Sequence, residues 1–134
     1  MLSELPPPLD PRGYPPAALS PTQQREAMTS LAARCPWGEL SWPELIEQLF
    51  ALGRTDIPLS RLTEGHIDAV RILAEAGLTP QPGLYGVWAS RSGGTGVHGT
   101  PSGEDWILDG KLRFASGAGV IDRALLPVQA EHGA

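Results

Sequence analysis

Three groups of residues in this sequence have the types and spacing to do chemistry. Gly94-Thr95-Gly96-Val97-His98-Gly99 repeats the glycine spacing of a dinucleotide-binding turn, in which backbone amides approach a pyrophosphate. That chemistry needs a helix to open directly after the glycines with its N-terminus aimed at the phosphates. Thr100-Pro101-Ser102-Gly103-Glu104-Asp105 follows instead. Residues 90–104 are therefore expected to be a flexible Gly/Ser loop without a nicotinamide site. His66 stands between Glu64 and Asp68, but residues two apart on a helix point to different sides, so His66 reads as a packed core histidine. His98, Ser102 and Asp105 carry the letters of a nucleophilic triad, yet no nucleophile elbow surrounds the serine. A single cysteine, Cys35, excludes an intrachain disulfide and a multi-thiolate metal site. No metal site is expected, and Cys35 reads as a small semi-buried apolar residue.

The elements that would position these residues fall into two classes. The seven prolines from Leu5 to Pro21, Pro21 included, fix φ and remove donors, so residues 1–20 read as an extended or disordered arm. Ser20 before Pro21 then starts a helix, whose apolar stripe Met28, Leu31, Ala32, Cys35 stops at Pro36. Ser41-Trp42-Pro43-Glu44 starts a second, carrying Leu45, Ile46, Leu49, Phe50 and Leu52 until Gly53. Asp56, two residues before Pro58, starts a third, with Leu59, Leu62, His66, Val70 and Leu73 on one face until Gly77. The period then changes from 3.6 to 2. Residues 84–89 read as a strand. Trp106-Ile107-Leu108 and Lys111-Leu112-Arg113-Phe114 flank Asp109-Gly110 as a hairpin, and 124–128 read as an edge strand near Pro127. The four tryptophans are expected to fill core and rim. Helices first and strands after make the class α+β: a disordered arm over 1–20, a three-helix segment over 21–78 and a partial antiparallel β-domain over 79–134.

Composition bounds what such a chain can do. At 134 residues it is one domain's worth of chain, short for most complete enzymes. Glycine and proline together supply 16 + 14 = 30 residues, nearly twice the usual share, so turns or unfolded segments are numerous. A net charge of −5 repels phosphate backbones and anionic headgroups. Neither nucleic acid nor a membrane surface is an expected partner. The first residues lack a basic region followed by an apolar run, and a cytoplasmic, soluble protein is expected. Unpaired strand edges near Leu125 and Leu126 point to self-association or a protein partner.

Two stretches, in order, carry a resemblance. Arg54-Thr55-Asp56-Ile57-Pro58-Leu59-Ser60-Arg61-Leu62-Thr63-Glu64-Gly65-His66 with Ala69-Val70-Arg71 is the first. Gly86-Val87-Trp88 with the run from Leu108 through Phe114-Ala115-Ser116 to Gly119 is the second. Over residues 22–128 they resemble the acyl-CoA dehydrogenase-like flavoproteins, where the helical N-terminal domain enters the central β-barrel. The resemblance implies FAD lying between that β-domain and a C-terminal four-helix bundle, and removal of an α-proton and a β-hydride from an acyl-CoA thioester, with electrons passed to an acceptor. It implies Phe114 against the isoalloxazine ring and Ser116 hydrogen-bonded near flavin N5. The family's Thr-Glu-Pro and Gly-Ser-Asp pattern is replaced here by Trp88-Ala89-Ser90-Arg91-Ser92-Gly93. Its glutamate base belongs to the bundle, so the resemblance assigns no catalytic residue within these 134 and implies a truncated or fragmentary oxidoreductase, inactive alone. A non-catalytic module that presents an unfinished β-edge to another chain is the alternative reading.

Overall fold

The computed structural model describes residues 18–130. Most of the proline-rich arm lies outside the described residues, but its last residues belong to the folded unit. Leu19 packs against the core, and Ser20 and Gln23 exchange hydrogen bonds as a capping box, Ser20 N–H donating to Gln23 Oε1 at 2.9 Å. Helix α1 spans Pro21–Arg34, α2 Trp42–Thr55 and α3 Ile57–Glu75. Glu44 accepts from both the amide and the hydroxyl of Ser41 at the start of α2. Asp56 ends α2 and caps α3 through Leu59 N–H. Gly53 does not stop α2, because α2 continues through Arg54 and Thr55 to that shared cap.

The chain is α+β, as expected, but its β part, expected to be antiparallel, is mixed: one of the three strand pairings is antiparallel and two are parallel. Strand β1 (Tyr85–Val87) pairs in parallel with β4 (Arg123–Leu125). Strand β2 (Gly96–Ser102) is antiparallel to β3 (Asp105–Lys111) and parallel to β5 (Val128–Ala130). Two local expectations fail here. The 90–104 segment is not a loop, since Gly96–Ser102 is a seven-residue strand after a short 3-10 turn at Ser92–Gly94. Asp109-Gly110 is not the hairpin turn either. It lies inside β3, and the chain reverses at Gly103-Glu104. Gly103 has φ 65, the first-position glycine of a two-residue hairpin turn. The run 111–114 ends as strand at Lys111, and Pro127 separates β4 from β5.

Helices and strands share one core. Met28 of α1, Leu52 of α2 and Leu59 of α3 meet Leu84, just before β1, and Val120, just before β4. Trp37, Leu45 and Ile67 form a second cluster. Helix α3 lies along β1 and is buried on more than one side, at Thr63, Gly65, His66, Ile67 and Ala69 as well as Leu59. By contrast the stripe of α2 divides: Leu45 and Leu52 are buried, while Ile46 and Phe50 remain exposed together with Trp42.

Candidate functional site

Phe114 and Ser116 sit in the turn between β3 and β4. Beyond Lys111 the chain leaves the hairpin, and Phe114 takes φ 59, the sole non-glycine positive φ among the described residues. For a bulky aromatic this is a strained conformation, costing of order 1–3 kcal/mol unless its surroundings hold it. The holding bonds are local. Ser116 N–H donates to the Phe114 carbonyl at 3.0 Å, Ala118 N–H to Ala115, and Val120 and Ile121 N–H to Gly117. Gly117, at φ 84, admits the close approach of Ile121 and Leu62, which a Cβ would meet at 3.0 and 3.2 Å. Trp88 then ties the turn to β1: its indole N–H donates to the Ser116 carbonyl at 3.0 Å, and its own N–H to the Leu125 carbonyl. The result presents Phe114 to solvent, 76% exposed, two residues from an exposed Ser116. Behind the serine, a crevice of about 10 Å³, room for one water, is lined by Arg61, Leu62 and Gly65 of α3 with Gly86 and Val87.

The other sequence candidates are taken apart by the fold. His66 is buried, as expected of a core histidine. Its Nδ1 accepts from Tyr85 N–H at 3.1 Å, joining α3 to β1, and burial lowers its pKa by disfavouring imidazolium. Strand β2 places His98 opposite Asp109 and Ser102 opposite Asp105. Four residues of strand separate His98 from Ser102 by about 13 Å, so the triad letters do not converge. The glycine fingerprint runs into β2 with no helix after it. Cys35 is half-buried, and burial raises its pKa, keeping it a thiol.

Three features are visible only in the folded chain. Arg25 donates to the Val120 carbonyl and to Asp122 Oδ1 at 2.6 and 2.7 Å, while Asp122 Oδ2 accepts from Leu84 N–H at 2.8 Å. The backbone bond first, then Arg25, hold the Asp122 carboxyl below its ordinary range. This latch joins α1 to the end of the Phe114 turn across nearly a hundred residues. The second is the exposed stripe Trp42, Ile46, Phe50 of α2, flanked by Arg71 over the Trp42 ring at 4.7 Å and Arg54 over Phe50 at 5.8 Å. The third is β3, whose every residue is exposed. Trp42 and Trp106, expected to be core or rim, are each more than half exposed, since both lie on these two open faces. Leu125 and the following Leu126 are half-buried, and β4 has β1 on one side with no strand on its other side among the described residues.

No family model, curated protein or solved structure matches the chain. Among the described residues no helix is long and apolar enough to cross a membrane, and no three His, Cys, Asp or Glu gather as a metal ion would require.

Proposed function

We propose that the chain forms the helical part and the first β-strands of an acyl-CoA dehydrogenase-like flavoprotein, with the Phe114–Ser116 turn as one side of a flavin site. The observation that carries this reading is Phe114 held at φ 59 with its ring in solvent, since strain and an exposed aromatic together suit a surface awaiting a flat partner. Bound FAD would supply hydride acceptance from the substrate's β-carbon. Phe114 would pack on the isoalloxazine face. The Ser116 hydroxyl would donate near N5, where electron density arrives, and the Trp88 indole would keep the serine backbone in place. A glutamate base from the family's C-terminal bundle would remove the α-proton, and a cytoplasmic setting accompanies this reading.

The test is an FAD titration of the whole chain followed by backbone NMR, with a dye-reduction assay using acyl-CoA. Weak binding is expected, with shifts confined to 112–118 and the Trp88 indole, lost in Phe114→Ala, and without turnover. Unmoved resonances there at saturating FAD would sink the flavin reading. Stoichiometric flavin surviving desalting, with turnover, would sink its incompleteness.

One observation favours a second reading, a non-catalytic module joined to another chain through its β-edge. All seven residues of β3 are exposed, and it ends the three-stranded sheet.

A further inference from the structure

Strand β3 has β2 on one side and nothing on the other among the described residues. Counting from the Ser102–Asp105 pair that closes the two-residue turn, Asp105, Ile107, Asp109 and Lys111 bond to β2. Trp106, Leu108 and Gly110 therefore turn their backbone N–H and C=O groups outward. Such an edge invites another strand unless charges or proline blunt it. Its charges are Asp105, Asp109 and Lys111. Across the hairpin Asp105 faces Ser102 and Lys111 faces Gly96, and neither forms an ion pair among the described residues.

We propose that the edge is completed by a second copy of this chain, β3 pairing antiparallel with β3 about a two-fold axis through Leu108. The inference rests on the edge reading above and is independent of the flavin reading. Charge selects the register. With Leu108 opposite Leu108, Asp105 of each copy faces Lys111 of the other, giving two opposite-charge pairs. Moving the axis to Ile107 sets Asp105 against Asp109 twice, and moving it to Asp109 sets that carboxylate against its own copy; like charges directly opposite are unfavourable. An axis at Gly110 also joins opposite charges but leaves the Trp106 end unpaired.

The same register puts Trp106 across from Gly110. Gly110 has φ 145, and a Cβ there would run into the Gly96 carbonyl, so this position stays bare and a neighbouring indole can cover it. Trp106 and Leu108 share one face of the sheet, where with Leu125, Leu126 and Val128 they line an open apolar groove. Pairing joins two three-stranded sheets into one of six and makes the two grooves continuous.

The test is sedimentation of the full chain across a concentration series, with residue-resolved amide exchange and circular dichroism on each variant. A dimer is expected, with the Trp106, Leu108 and Gly110 amides becoming protected as concentration rises. Asp105→Lys or Lys111→Asp alone should weaken it about tenfold or more, because each turns two attractive pairs into two repulsive ones. The double swap should restore the dimer to within about threefold. Failure of the double swap to recover association overturns the register. A monomer whose edge amides exchange freely overturns self-pairing while leaving the edge open to another partner. A monomer with those amides protected overturns the open edge as well. If a single variant loses its folded spectrum, the wild-type exchange and the double swap still decide.

Discussion

Replacing His66 with leucine tests the joint between helix and sheet. The imidazole Nδ1 accepts the Tyr85 N–H in a buried setting, so leucine leaves that amide without a partner. An orphaned buried donor costs about 1–3 kcal/mol, and burying leucine in place of imidazole returns roughly 1 kcal/mol. The expected net is destabilisation of about 1–2 kcal/mol at pH 7. The pH dependence is more diagnostic. Burial lowers the folded-state pKa of His66, and protonation would fall on the nitrogen that accepts from Tyr85. Above the ordinary histidine value, about 6.5, both folded and unfolded states are neutral and the full stability is present. As pH falls below it, the unfolded chain takes up a proton that the folded one resists, so wild-type stability declines until the folded pKa is reached. The leucine variant lacks this loss. Urea unfolding of both proteins should therefore show a gap that narrows by up to about 1 kcal/mol between pH 7 and 5.5. A leucine variant as stable as wild type at pH 7, or a gap that does not move with pH, would refute the role given to His66.

Asp122→Asn and Arg25→Ala should each cost about 1 kcal/mol, and together less than their sum, because they share one latch; a double-mutant cycle by chemical denaturation measures this. The lowered Asp122 pKa contributes stability present above the ordinary carboxylate range and lost as pH falls through the folded value, so the acid limb of the stability curve should flatten in Asp122→Asn. Gly110→Ala should lose more than about 2 kcal/mol, since its Cβ meets the Gly96 backbone, which no rotamer change relieves; thermal unfolding reads it. Thr63→Val should gain about 1 kcal/mol by removing a buried hydroxyl that finds no partner among the described residues, with a higher melting temperature as the check.

The sequence by itself determined the helices, because their signals are local. A serine or aspartate just before a proline can accept from an orphan amide within one turn, as Ser20 and Asp56 do, while at Ser41 the Glu44 carboxylate accepts from the capping residue's own amide and hydroxyl. It also marked His66 as core and gave the order that makes the class α+β. Which strand pairs with which was decided by the tertiary structure. Asp109-Gly110 carries a strong turn signal, but a turn there would pair only short flanks. Reversal at Gly103-Glu104 instead lets seven residues of β2 pair with seven of β3, and the glycine hairpin preference is met at Gly103. Gly110 then serves as a bare position against Gly96. The glycines of β2 hid a strand because period-2 patterning needs side chains to be seen, and Gly99 is bare where Val128 and Trp106 come close.

The candidate site divides along the same line. Phe114 and Ser116 could be named from the family resemblance and the positive φ at Phe114 is held by bonds within the turn, but the Trp88 bond that fixes the serine carbonyl joins distant segments. The Arg25–Asp122 latch and the parallel pairing of β1 with β4 join residues with no spacing rule between them. Periodicity tells which residues want burial, whereas only the assembled fold decides how much surface there is to bury them. Trp42, Ile46, Phe50 and Trp106 stay in solvent because the described elements fill the core without them.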